Sequence, residues 1–136
     1  MITGISHITL IVKDLARTAT FLVRIFGAEE VYSRDSTVKY FLIDKVWIAL
    51  NKGEPLPQRT YNHIAFQIAD EDMDMYIARI KDVGAEIRPE RPNRTRIAGE
   101  GRSIYFYDFD NHLFELHTGT LSERLAGYSQ GNGMEA

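Results

Sequence analysis

At 136 residues and 44% hydrophobic content, the chain has room for one ordinary domain, or for two very small modules that share a core. A net charge of -3 with 26% charged residues excludes a general basic surface of the kind that neutralises phosphate backbones, so no nucleic-acid partner is expected. No apolar run approaches the roughly 20 residues that span a bilayer, and Met1-Ile2-Thr3-Gly4 leads into a strand pattern without a charged and apolar leader, so a soluble, cytoplasmic protein with no membrane partner is expected.

Taken in chain order, His7 to Asp14 reads as a strand and turn, and Leu15 to Phe26 as an amphipathic helix that stops at Gly27-Ala28-Glu29. Extended segments rich in β-branched and aromatic residues follow at Val31-Tyr32, Val38 to Ile43 and Val46 to Leu50. Asn51 to Arg59 contains Gly53, Pro55 and Pro57, which suit a connector. The pattern then starts again. His63-Ile64-Ala65-Phe66-Gln67-Ile68-Ala69-Asp70 matches the stretch beginning at His7, and a helix-like segment runs to Val83 and stops at Gly84-Ala85-Glu86. Further extended segments are Glu86-Ile87-Arg88, Ser103 to Tyr107 and Leu113 to His117, with a loop rich in arginine, proline and glycine from Pro89 to Arg102. The unit is βαβββ, used twice. The expected fold class is therefore α+β, with two βαβββ modules forming curled mixed sheets, each leaving an apolar face and an open cleft for a ligand. One domain over residues 1–126 is expected, with modules at about 1–52 and 58–120, and a flexible polar tail over 127–136.

The chain has no cysteine, so any bound metal must be held by nitrogen and oxygen donors, which favours manganese, zinc, iron, nickel or magnesium. Side chains alternate along a strand, which puts His7, Thr9 and Ile11 on one face and His63, Ala65 and Gln67 on the equivalent face of the second copy. In the last strand Leu113, Glu115 and His117 share a face, and a carboxylate among residues that look buried needs a partner. A single strand histidine or a single glutamate would not make a site, but recurrence of the histidine at one repeat position points to a divalent cation held by His7, His63 and Glu115. Two imidazoles and one carboxylate leave coordination positions free, as a catalytic site requires. His112 and His117 are rival ligands without counterparts in the first half.

These residues resemble the fosfomycin-resistance proteins of the vicinal-oxygen-chelate (glyoxalase-like) superfamily. The match runs from Met1 to about Leu125, through Gly4 to Leu10, Tyr61 to Phe66, and above all Gly99-Glu100-Gly101-Arg102-Ser103-Ile104-Tyr105-Phe106-Tyr107-Asp108, then Asn111 to His117, and on to Arg124. That last stretch resembles the branch that hydrates the antibiotic rather than those that add a thiol to it.

The resemblance implies a Mn(II)-type centre, with Zn, Ni, Fe or Mg as other occupants, and a homodimer in which His7 of one subunit joins His63 and Glu115 of the other. It also implies contacts from Thr9, Trp47, Arg96, Ser103, Tyr105 and Arg124 to the oxirane or phosphonate of a small anionic substrate. Thr9 would donate to a developing alkoxide, and arginine forks match phosphonate oxygens. The pattern departs at Val38, where the hydrolase branch carries a glutamate general base; Asp35 and Glu100 are the candidate substitutes for that base. Water addition is the leading expectation. A thiol transferase, or a protein of this fold that sequesters its ligand without turnover, is the alternative.

Overall fold

The computed structural model describes residues 1–89 and 101–130. The first module consists of β1 (His7–Val12), α1 (Leu15–Phe26), β2 (Glu29–Arg34), β3 (Val38–Ile43) and β4 (Val46–Lys52). The second repeats it as β5 (His63–Gln67), a 3-10 turn (Asp70–Asp72), α2 (Met73–Val83), β6 (Glu86–Ile87), β7 (Ser103–Tyr107) and β8 (Leu113–His117). The sheets have the equivalent strand orders β1-β4-β3-β2 and β5-β8-β7-β6. In each, the first strand pairs parallel with the fourth, and the other pairings are antiparallel. The expected pair of βαβββ modules is the observed architecture.

The helices end as the glycines predict. Asp14 caps α1 by accepting from the Arg17 N–H at 3.1 Å, and Gly27 closes it in the left-handed region at φ 67°. Gly84 does the same for α2 at φ 83°. A third helix, α3 (Leu121–Gln130), runs through the start of the segment that the sequence suggested was a flexible tail. Its nucleus is a capping box: Glu123 N–H donates to Thr120 Oγ1 at 3.1 Å, while the Glu123 carboxylate accepts from the Thr120 N–H at 2.9 Å. Residues 131–136 lie outside the described residues.

One face of each sheet packs into a common core, and α1 joins the two. Phe21, fully buried, meets Phe106, Phe109 and Phe114 of the second module at ring separations of 5.9, 5.9 and 5.6 Å. Phe26 lies 5.1 Å from Phe66. Such aromatic pairs add on the order of 0.5–1.5 kcal/mol each beyond simple burial. The consequence for the site is orientation. With Leu10, Val12, Ile48, Leu50, Phe106, Phe114 and Leu116 turned into the core, strand alternation turns His7, Thr9, His63 and Glu115 to the opposite, open faces. Among the described residues no helix is long and apolar enough to cross a membrane.

The β7–β8 turn ties the modules together. Asp110 Oδ1 accepts from the Lys13 N–H at 2.8 Å, and its backbone carbonyl accepts from the Leu56 N–H at 3.2 Å. Asn111, at φ 71°, donates to the Leu56 carbonyl at 2.7 Å and accepts from Arg59 Nε at 3.2 Å. Burial, reinforced by the neighbouring Asp108, pushes the Asp110 carboxyl above the usual carboxylate range. A raised folded-state pKa means that ionisation costs stability: the cost is absent below the ordinary aspartate value and complete once pH has risen past the folded one. Asp110→Asn keeps the acceptor and removes the charge, so its unfolding midpoint should match or exceed wild type at pH 7, the advantage narrowing towards pH 4. Asp110→Ala orphans the Lys13 N–H and should cost about 1–3 kcal/mol in denaturant melts.

Candidate metal centre

Glu115 sits in the middle of β8 with only 6% of its surface exposed. Register places it beside Ala65 on β5 and Tyr105 on β7, with His63, Ser103 and His117 at adjoining positions on the same face. No lysine or arginine pairs with it among the described residues. Instead His63 Nε2 lies 3.0 Å from Glu115 Oε1. Ser103 Oγ donates to Glu115 Oε2 at 2.6 Å and lies 2.7 Å from His117 Nδ1.

The other ring nitrogen of His63 decides what this contact means. Nδ1 lies 2.7 Å from the backbone carbonyl of Tyr61. A carbonyl can only accept, so Nδ1 carries the proton, and in the neutral imidazole Nε2 is a bare lone pair. That lone pair faces a carboxylate oxygen. Two acceptors held 3.0 Å apart repel unless a positive centre binds both, either a proton or a metal cation. A donor set of one imidazole nitrogen and one carboxylate oxygen, with the histidine oriented by a carbonyl on its far side, is what a divalent ion takes. The residues present therefore fit the expected metal.

His7 is not at this place. It lies on β1 in the other sheet, exposed, its ring stacked on Trp47 at 4.1 Å and its Nδ1 2.9 Å from Ser6 Oγ. Among the described residues of one chain, no group of three or more histidine, aspartate or glutamate side chains comes together to hold a metal. Thr9 is two residues further along β1 on the same open face, opposite Ala49. Trp47 Nε1 is buried without a hydrogen-bond partner among the described residues. The expected ligands and contacts thus fall into two half-sites: His7, Thr9 and Trp47 on the first sheet, and His63, Ser103, Tyr105 and Glu115 on the second.

The rival histidines separate. His112 Nδ1 is 2.7 Å from Asp108 Oδ2 in the β7–β8 turn, so it belongs to that structural tie. His117 is on the Glu115 face, where it backs Ser103. Arg96 and Glu100 lie outside the described residues. Asp35 is in the β2–β3 turn at φ 52°, off the strand faces that carry the candidate residues. Val38 is nearly buried, paired in register with Asn51 on the open face of the first sheet.

Around the second half-site runs a cleft of about 780 Å³, lined by His63, Glu115, Tyr105, Arg88, Arg102 and Arg124, among others. Tyr61 OH donates to Tyr105 OH at 2.9 Å. Burial first, then this bond and the nearby Glu115 charge, push the Tyr105 phenol far above its ordinary value, so it stays a neutral hydroxyl. Sequence reasoning did not single out Tyr61 as a participant, although its place two residues before His63 carries the parity signal.

A family model, Glyoxalase/Bleomycin resistance protein/Dioxygenase superfamily, matches residues 4–116. The chain belongs to this superfamily. Within it the chain falls among the fosfomycin-resistance proteins. It is 62% identical over 134 residues to the fosfomycin resistance protein FosX of Listeria innocua serovar 6a, covering 94% of this chain and 98% of the relative. The metallothiol transferase FosB of Shouchella clausii is 37% identical over 134 residues, covering 96% and 90%. Among solved structures, a mutant FosX from Listeria monocytogenes complexed with Mn(II) and 1S,2S-dihydroxypropylphosphonic acid matches with a TM-score of 0.88 at 62% identity, covering 94% of this chain and 99% of that one.

If His63 and Glu115 are the cation's ligands, His63→Ala should weaken Mn(II) binding by more than about a hundredfold, beyond the ten- to hundredfold that loss of a group supporting a ligand costs. Ser103→Ala, which only releases Glu115, should cost about tenfold. Electron paramagnetic resonance of free Mn(II) during titration reads both, and undiminished uptake by His63→Ala would refute the assignment.

Proposed function

We propose that this superfamily member opens the oxirane ring of fosfomycin or a closely similar small phosphonate by adding water. It does so in the cytoplasm, as a homodimer that holds Mn(II) between His63 and Glu115 of one subunit and His7 of the other. The observation that carries the reading is the buried Glu115 facing Nε2 of His63 at 3.0 Å, in a cleft lined by arginines. The likeness supports it: the Listeria monocytogenes FosX structure holds Mn(II) together with a dihydroxypropylphosphonic acid, and a vicinal diol is what water addition to an epoxypropylphosphonate yields.

Bound there, a divalent cation supplies Lewis acidity towards the ring oxygen. The chain's residues do the rest. Ser103 and the Tyr61 carbonyl hold Glu115 and His63 in place. Tyr105, kept protonated, offers a hydroxyl to the substrate's oxygens, and Thr9 of the facing subunit offers another to the alkoxide that develops as the ring opens. Arg124 lines the cleft and, with Arg96, supplies positive charge for the phosphonate. Two half-sites on open sheet faces account for the second copy. Ile11, Val31 and Tyr32 stay 41%, 49% and 44% exposed on or beside the first sheet's open face, and burying that surface against another subunit is favourable.

The in-register neighbours of Val38 on its face are Asn51 and, across β2, Arg34, neither of them a carboxylate; Glu29 shares that face but lies opposite Leu42, towards the other end of β3. Water activation accordingly lacks a base at this position. The test is to load the protein with Mn(II), add fosfomycin with and without small thiols, and follow phosphorus resonances. Diol is expected without thiol, and Val38→Glu should raise its rate about tenfold or more, within the range a positioned base contributes. An adduct formed only with thiol would replace hydration by group transfer, and binding without conversion would leave sequestration.

Subunit sharing has its own test. His7→Ala and His63→Ala proteins should each be inactive alone. Unfolded and refolded together, half of the randomly formed dimers pair one of each and regain one of two sites, so about a quarter of wild-type activity should return. A mixture that stays inactive would place all ligands in one chain.

A further inference from the structure

Three arginines of the described chain line the cleft above His63 and Glu115: Arg88, Arg102 and Arg124. Arg102 is committed, its Nε 2.9 Å from Asp70 Oδ1 and its terminal nitrogen 3.1 Å from the Asp70 carbonyl. Arg88 is held differently. Its backbone N–H donates to the Tyr105 carbonyl at 2.8 Å, which anchors the residue at the end of β6 beside β7. Its guanidinium lies over the Tyr61 ring at 4.9 Å and the Tyr105 ring at 5.9 Å. Those rings are in turn 4.9 and 5.3 Å from the ring of His63. Among the described residues no carboxylate pairs with Arg88.

Stacking on a ring uses the face of a guanidinium and leaves its five N–H donors, which lie in the plane, unspent. A half-buried cation set against two tyrosine rings, in a cleft whose described lining carboxylate, Glu115, faces His63, is suited to an oxyanion that arrives with the substrate. We propose that Arg88 is a further substrate-binding residue of this protein, laid across Tyr61 and Tyr105 so that its N–H edge takes oxygens of the phosphonate. The assignment deepens the proposed function and rests on its placement of substrate in this cleft. Tyr61 and Tyr105 act in it as positioning residues, since they set where the guanidinium points.

The test separates anion binding from chemistry by using methylphosphonate, which carries the phosphonate and no oxirane. Calorimetry on the Mn(II)-loaded protein should show Arg88→Ala weakening methylphosphonate binding about tenfold or more, as loss of a charge-assisted bond does. Arg88→Lys should recover part of the loss, because it restores the charge without the fork. With fosfomycin, KM should rise by a similar factor while kcat stays within about twofold. Mn(II) affinity and the circular dichroism spectrum of both variants should match wild type, and Arg88→Lys carries the test if the alanine variant does not fold. Wild-type binding of methylphosphonate by a folded Arg88→Ala protein would overturn the inference and leave the epoxide-opening reading standing. Conversely, dependence of methylphosphonate binding on Arg88 in a protein that leaves fosfomycin unchanged would uphold the inference and overturn that reading. Absence of methylphosphonate binding to the wild type would overturn the inference.

Discussion

Burying a carboxylate without a cationic side chain beside it is costly, because the charge leaves water and nothing fixed in the protein replaces the lost hydration. Glu115 is in that position. Its side chain is 8% exposed, and its described partners are the imidazoles of His63 and His117, the Ser103 hydroxyl and the Tyr105 phenol. The surrounding polar network sets Glu115 Oε1 and His63 Nε2 3.0 Å apart, facing one another. The Tyr61 carbonyl fixes the histidine tautomer, Ser103 holds the second carboxylate oxygen, and His117 backs the serine. A cation held by these two atoms would offset the desolvation of Glu115 and relieve the repulsion between two facing acceptors in one step.

The repeat also explains why His7 and His63 lie apart. Each module spends one sheet face on the shared core, where the aromatic side chains of α1 reach across to the second sheet. The opposite faces, with His7 on one and His63 on the other, are turned away from that core. A duplicated unit whose copies pack back to back presents equivalent histidines in different directions, so a site that uses both needs a second copy of the chain. Trp47 Nε1, buried and without a partner among the described residues, is a donor left over on the sheet that carries His7.

Much of the architecture was legible in the residue order. The two histidine-led strands, the helices stopping at Gly27 and Gly84, and the paired strands Ser103–Tyr107 and Leu113–His117 all follow from period and from glycine punctuation, and the structure reproduces them. α3 was less legible, because Gly127 and the polar composition around it suggest a tail. The Thr120–Glu123 capping box, a short local signal, starts the helix that overrides them. The resemblance named Ser103 as an expected substrate contact, but its bond to Glu115 depends on strand pairing twelve residues apart, which no local pattern states.

Side-chain chemistry and alternation along the chain were enough to limit any metal donors to nitrogen and oxygen, to place His7 and His63 at one repeat position, and to put Glu115 on one face of its strand with Leu113 and His117. These are properties of single strands, and a strand's period of two is carried by the order of its residues. Only the tertiary structure decided which of them meet. The parallel pairing of β5 with β8 brings His63 to Glu115, whereas β1 pairs with β4 and carries His7 to a separate sheet. Register and packing between segments distant in sequence are set by long-range burial, and the free energy that selects them belongs to the whole core rather than to any one stretch of chain.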